Sequence, residues 1–465
     1  MLRLANCGFV SGVVGRARTP WGSLTRLASA GLGLVALLSV AQAQDRIKFD
    51  FWYGNTGKIA EVVDEECKRF NESQSKYEAA CTTQGGYDKA EQNTIAAYRS
   101  NKQPTIAQIW DSGTVNFLTS GAIYPADQLV ADFNANVPWD DVLPAIRNYF
   151  GTSKGILWSF PFNTSTGLFY WNKADWKKIG KTQAPETMED WFADLRAMKA
   201  AGVECGVAVN FDPGQWLEQF SIVHGIPIAT LNNGYDGFGA ELVFNKTKFA
   251  DFMKDLKKLL DEGIAQIHTQ QTGRETWQAF ADQTCASTIT PSSLMSLIQA
   301  AATPGLEMGM AMIPVYSGFE RQNSGVGGAS LWVMQGKSKE EYEAAVAFLQ
   351  FLATPEEAMF FVSSTGYTPV RTSAYEYLKQ QGYYDDPTNA GRDLSYASLN
   401  HPASSPNARG IRLANFTQVR YELRSELEAA FTGQKDMQAA LDAAVERGNQ
   451  ILRRFERTFE GKELP

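Results

Sequence analysis

Three apolar, β-branched or aromatic runs alternate with two segments of helical spacing between residues 47 and 110, and this alternation restricts the fold more than any other feature. Ile47 to Tyr53 (IKFDFWY) has strand character and stops at Gly54-Asn55. Ile59 to Phe70 repeats its apolar residues at helical intervals. Tyr77 to Thr82 is a second strand, Tyr87 to Tyr98 a second helix, and Thr105 to Trp110 a third strand followed by Asp111. Parallel strands need long crossovers, so a βαβαβ order predicts an α/β fold whose ligands bind beyond the carboxyl ends of the strands. Gly54, Asn55, Tyr87 and Asp111 all fall at such ends.

A chain of 465 residues exceeds one ordinary core. A second segment begins near Gly155, with aromatic-rich strands Ile156–Phe162 and Gly167–Trp171 either side of a turn at 163–166. Helices follow around Trp191–Ala200 and Phe249–Leu260, then strand-like runs at 287–290, 308–314 and 329–334. Helices at 340–352, 355–364 and 437–459 complete the chain. The order implies one lobe, a crossing to another and a return, each lobe a mostly parallel sheet flanked by helices. The expected division gives residues 44–152 and about 303–345 to the first lobe, and 153–302 with about 346–465 to the second.

Residues 1–43 carry Arg3, Arg16, Arg18 and Arg26 with no acid, then the apolar run Leu27–Val40 and Ala41-Gln42-Ala43. A basic start, a short apolar stretch and an A-x-A site predict a secretory signal peptide cleaved after Ala43, and hence an exported protein. Without it the chain holds 39 Lys+Arg against 51 Asp+Glu, a net charge of −12. That balance disfavours nucleic acid and anionic membranes as partners, and an anionic ligand would need a local positive site. Four cysteines remain. In an exported protein they point to disulfides; the short loop favours Cys67–Cys81, leaving Cys205–Cys285. His224, His268 and His401 are scattered and no CxxC occurs, so neither a metal nor a cofactor is expected.

Catalytic motifs are missing: there is no GxSxG, HExxH or GxxxxGK[ST]. Features suited to anions are present instead. Thr290-Pro291-Ser292-Ser293 precedes LMSLIQAAA, the pattern of a helix N-terminus. Gly325–Gly328 would let backbone approach a ligand, and Arg420 beside Arg412 offers a guanidinium for bidentate contact.

Around these residues the chain resembles the periplasmic sn-glycerol-3-phosphate-binding proteins of bacterial ABC uptake systems. GGASLWVMQGK (327–337), TGYTPV (365–370), GIRLANFTQVR (410–420) and AVERGNQILRRFE (444–456) carry the resemblance, which extends from Phe49 to Phe459. It implies a non-enzymatic, monomeric two-lobed protein that closes on glycerol 3-phosphate or a glycerophosphodiester such as glycerophosphocholine and delivers it to a membrane permease with its ATPase. The ligand residues it implies are Tyr87, Asp111, Ser165, Gly328, Tyr367 and Arg420; by their chemistry Arg420, the tyrosines and Ser165 suit the phosphate and Asp111 the glycerol hydroxyls, which would set Arg420 and Asp111 at opposite ends of the ligand. Three positions depart from the family pattern. Asp111 replaces Glu; Pro291 replaces a Ser, so that hydroxyl comes from Ser292 or Ser293 or is absent; and Met188 replaces a Trp, making it a candidate selectivity position in a roomier cleft. The alternatives are the same fold binding a neutral oligosaccharide, and a secreted glycerophosphodiester hydrolase, which the absent catalytic groups disfavour.

Overall fold

The alternation at the start of the chain builds one edge of a mixed sheet in the computed structural model, which describes residues 46–459 and 463–465. The leader expected over 1–43 and its cleavage site lie outside the described residues. Strand β1 (Ile47–Tyr53) pairs in parallel with β2 (Tyr77–Thr83) on one side and β3 (Ile106–Trp110) on the other. Helices Gly57–Ser73 and Tyr87–Arg99 make the crossovers. The sheet continues through β11 (Gly327–Met334), antiparallel to β3, and β4 (Ile123–Tyr124); β5 (Phe160–Ser165) also pairs with β11. Phe49, Phe51, Phe70 and Phe348 form its aromatic core.

The second sheet runs in the order β10 (Met308–Ala311), β6 (Gly167–Asn172), β9 (Ser287–Pro291), β7 (Val207–Val209), β8 (Ala265–Ile267). Pairing of β7 with β8 and with β9 is parallel, whereas β6 is antiparallel to both neighbours. Both sheets are therefore mixed, because the strands contributed by the crossing segments enter against the βαβ direction. The two helices Phe416–Phe431 and Met437–Glu456 return to this second core and fill it with Leu423, Leu427, Leu441 and Ile451.

Sheet membership differs from the expected lobe division at two strands. Phe160–Ser165 belongs to the first sheet and Met308–Ala311 to the second. The chain crosses between sheets at Thr166, the one residue separating β5 from β6, where a turn was expected. Thr166 is fixed there on three sides. Its hydroxyl donates to Gly325 O (2.8 Å), its amide donates to Ser292 Oγ (3.3 Å), and its carbonyl accepts from Ser292 N (2.8 Å). A second crossing lies ahead of Gly327.

Cys67 is bonded to Cys81, tying the first helix to β2, and Cys205 to Cys285, tying the segments that enter β7 and β9. No single helix among the described residues is long and apolar enough to cross a membrane.

His224 sits in the second core against Phe220, with its Nδ1 2.7 Å from Phe220 O and its Nε2 accepting from Tyr316 N (2.9 Å). Those contacts fix the neutral tautomer, and burial depresses its pKa from 6.5 to about 4. Because the folded value lies below the unfolded one, this group's stabilisation is complete above pH 6.5 and is lost as pH falls toward 4. Urea titrations from pH 7 to 4 should show the wild type losing about 3 kcal/mol more than His224→Gln.

Candidate functional site

Strand ends of the first sheet present a layer of buried amides whose orientation is dictated by one backbone group. The Gly54 amide, an unambiguous donor, gives its hydrogen to Gln108 Oε1 at 2.6 Å. Gln108 Nε2 must then be the donor to Asn55 Oδ1 (2.7 Å) and Asn163 Oδ1 (2.8 Å). That turns both asparagine amino groups toward the tyrosines. Tyr87 Oη accepts from Asn55 (2.9 Å) and Asn163 (2.8 Å), so both its lone pairs are used and its proton goes to Tyr367 Oη, 3.0 Å away. Tyr367 Oη accepts from Tyr87 and from Asn55 (3.2 Å). Its own proton is left over, and burial raises its pKa so that the proton stays on. Four amides thus leave Tyr367 as a committed hydrogen-bond donor.

Tyr87 and Tyr367 line a cavity of about 230 Å³ between the two sheets. Asp111, Ser165, Gly328 and Arg420 line it as well, so six residues implied by the resemblance meet in one place. Neither Ser165 nor Ser293, which also faces the cavity, shows a hydrogen-bond partner for its hydroxyl among the described residues. Gly328 adopts φ +103°, and a Cβ there would lie 1.9 Å from Asn163 O. Only glycine lets β11 pass close enough for the Gly328 amide to donate to Asp111 Oδ2 at 3.1 Å.

The same cavity is lined by a charged cluster. Arg420, on helix Phe416–Phe431, donates through Nε (2.5 Å) and Nη2 (2.6 Å) to the two oxygens of Glu218, and Nη2 stands 2.7 Å from Asp111 Oδ1. Asp111, Glu218 and Arg420 are only 7%, 4% and 9% exposed, so water does little to screen them. Burial raises the carboxyl pKa values of Asp111 and Glu218, opposed by Arg420. Burial also works against the charge of Arg420, but the two carboxylates overcome it and hold its pKa well above the usual value. The expectation that Asp111 and Arg420 occupy opposite ends is therefore corrected: they form an ion pair, because a buried guanidinium requires its counter-charges beside it.

Two expected residues lie off the cavity wall. Ser292 turns to the crossover and bonds Thr166, while its neighbour Ser293 faces the cavity. The helix expected after Ser292 begins only at Met295, behind a 3₁₀ turn at Ser292–Leu294, because β9 extends to Pro291. Met188 opens helix Met188–Ala200 and is fully buried in the second core. It does not line the cavity.

Glu218, Gln108 and Asn163 were not anticipated, whereas Asn55 stands at the strand end where the sequence placed it. Gln108 had a signal, an amide inside the apolar run TIAQIW. Glu218 had none; a π-helical turn at Gly214–Glu218 directs it inward. Cys205, His268 and Cys285 gather closely enough to suggest a metal, but both sulfurs are committed to the disulfide.

Residues 66–391 match the family pattern described as bacterial extracellular solute-binding protein. The chain is 38% identical over 422 residues to the sn-glycerol-3-phosphate-binding periplasmic protein UgpB of Yersinia pseudotuberculosis, covering 90% of this chain and 94% of that one. Its Salmonella typhimurium counterpart is 37% identical over 433 residues, 92% of this chain and 97% of that one. The fold matches the crystal structure of UgpB from Mycobacterium tuberculosis in complex with glycerophosphocholine, with a TM-score of 0.70 at 20% identity over 88% and 98% of the chains. It equally matches the sugar-binding protein MalE of Xanthomonas citri, with a TM-score of 0.71 at 18% identity over 89% and 100%.

Proposed function

Because the chain belongs to the bacterial extracellular solute-binding proteins, and among them to the sn-glycerol-3-phosphate-binding group, we propose that its interlobe cavity captures sn-glycerol 3-phosphate or a glycerophosphodiester and delivers it to an ABC permease. The observation that carries this is one cavity lined by two chemically different sets of groups: a committed hydroxyl donor with serine hydroxyls that show no partner among the described residues, and an acid–arginine–acid cluster.

Glycerol 3-phosphate carries nearly two negative charges at neutral pH, its second pKa being about 6. Beside Asp111 and Glu218 that dianion would meet two carboxylates sharing a single guanidinium. The phosphate therefore belongs against the hydroxyl donors Tyr367 and Ser293, while Ser165 stands nearer Asp111, both within 3.8 Å of the point a Cβ on Gly327 would occupy. The glycerol hydroxyls belong against Asp111 and Glu218, which accept hydrogen bonds strongly, with Arg420 keeping those carboxylates ionised and in place. Arg420 is thus the organiser of the diol end rather than the phosphate grip.

Protein groups here bind and orient; none is paired with a nucleophile in a way that suits hydrolysis, and the protein acts as a carrier. It works as a monomer in the periplasm after cleavage following Ala43, supplying a permease driven by its ATPase. Its lobes divide with the two sheets, the chain crossing at Thr166, again ahead of Gly327, and once more ahead of the C-terminal helices.

Asp111→Asn separates the two walls. It should weaken glycerol 3-phosphate roughly 10- to 100-fold, the loss of a charge-assisted hydrogen bond, while binding of inorganic phosphate is unchanged or stronger. Equal weakening of both by calorimetry would show that Asp111 does not distinguish the diol from the phosphate.

A further inference from the structure

The sequence offers no metal motif, yet the fold draws three soft ligands to one place. Cys205 precedes β7, Cys285 precedes β9 and His268 follows β8, three neighbouring strands of the second sheet. Their ligand atoms all lie within 4.8 Å of one another. Hydrogen bonds anchor each backbone independently of the disulfide: Ala286 N donates to Cys205 O (2.9 Å), Cys285 N to Ala279 O (2.9 Å) and His268 N to Val209 O (2.8 Å). Opening the disulfide therefore leaves the three side chains on fixed supports.

The spacing suits a tetrahedral cation. Bonds of about 2.3 Å to sulfur and about 2.0 Å to imidazole nitrogen set those two atoms about 3.5 Å apart across a tetrahedral angle. Cys285 Sγ stands 3.5 Å from His268 Nε2, and Nε2 has no other partner among the described residues. Two released sulfurs need part only to about 3.8 Å, an ordinary nonbonded contact. Both cysteines are fully buried, where a lone thiolate is costly, but two thiolates and a divalent cation sum to zero charge. Ala208 and Ala279 pack around the sulfurs and compete for nothing. His268 also borders a cavity of about 380 Å³, shared with Asn210, Glu275 and Trp277. That cavity gives the ion an entry and leaves room for a water as fourth ligand.

We propose that Cys205, His268 and Cys285 form a site for a thiophilic divalent cation such as Zn²⁺ when the bond between the cysteines is reduced, so that one position alternates between disulfide and metal centre. A dithiol reductant opens the bond by exchange, closing to its own disulfide and leaving two thiols; the cation then binds as both thiols release their protons. An exported chain carries its cysteines as thiols until it reaches an oxidising compartment, so each copy begins in the reduced form. The cation would tie the entries to β7 and β9 together as the disulfide does. No histidine or acid joins Cys67 and Cys81 in a comparable cluster among the described residues.

The test is a titration with Co²⁺, whose tetrahedral thiolate complexes absorb strongly in the visible, on protein reduced by a phosphine that ends as its oxide with oxygen from water. Reduced wild type should bind one Co²⁺ per chain, displaced by Zn²⁺, and the oxidised protein none. Cys285→Ser should abolish the absorption, and His268→Ala should weaken binding roughly tenfold or more. Replacing Cys67 and Cys81 together by Ser should leave the affinity within about twofold. If reduction unfolds the chain, Co²⁺ should restore its circular dichroism; a reduced chain that stays unfolded with Co²⁺ present would overturn the site. So would the absence of a tetrahedral spectrum, or one that survives Cys285→Ser or His268→Ala unchanged.

Discussion

Arg420→Ala should abolish detectable binding of glycerol 3-phosphate and lower stability by roughly 3–5 kcal/mol, because it leaves Asp111 and Glu218 buried without a counter-charge. The two losses have different cures. Adding Glu218→Gln removes one of the stranded charges and should restore much of the stability in a denaturant titration, but not binding, since the diol wall stays disordered. If Arg420→Ala bound glycerol phosphate within a few-fold of wild type, the cluster would have no part in recognition. A protein whose ligand is an uncharged sugar held by aromatic surface would behave in that way.

Gly328→Ala should be nearly as damaging by a steric route. A methyl group there would overlap Asn163 O, and φ +103° is a conformation that alanine resists. Strain and overpacking together suggest a cost on the order of 3–5 kcal/mol. Any relief moves β11 away from β5, which breaks the amide contact to Asp111 and pulls Asn163 from the chain of amides that aims Tyr367. Binding should therefore fall by more than the residual folded fraction explains, measured on protein shown folded by circular dichroism. The neighbouring Gly327 is a useful contrast. An added Cβ there would find its nearest atom, Ser165 Oγ, at 3.4 Å, ordinary contact, so Gly327→Ala should retain the fold.

Much of the first lobe was legible in the sequence because its strands are separated by helices with clean apolar spacing. Ile47–Tyr53 has the same bounds in both, and the helix expected from Tyr87 begins there. Around residue 160 the pattern failed. Every residue of β5 and β6 is buried, so no alternation marks where one ends and the next begins. The bounds of β5 are set by its pairing with β11, some 160 residues later, and the Asn-Thr-Ser-Thr stretch that resembles a turn is the end of a strand and a crossing between sheets. The candidate site divides along the same line. Tyr87 and Asp111 could be picked out because strand ends of a βαβ unit face a cleft whatever residue stands there. The amides that orient Tyr367 were hidden, since their role depends on Gly54, Gln108 and Asn163 meeting from three strands or strand ends. Met188 shows the reverse error: resemblance assigns a position but not the direction its side chain takes, and this one packs into the core.

Calorimetric titration of the processed protein, residues 44–465, with sn-glycerol 3-phosphate and separately with maltose tests the central claim most directly. Saturable one-to-one binding of glycerol 3-phosphate, lost in Arg420→Ala, with no heat from maltose, is the expected result. Binding of maltose with none of glycerol 3-phosphate or glycerophosphocholine would contradict it and make the cavity a sugar site on the same fold.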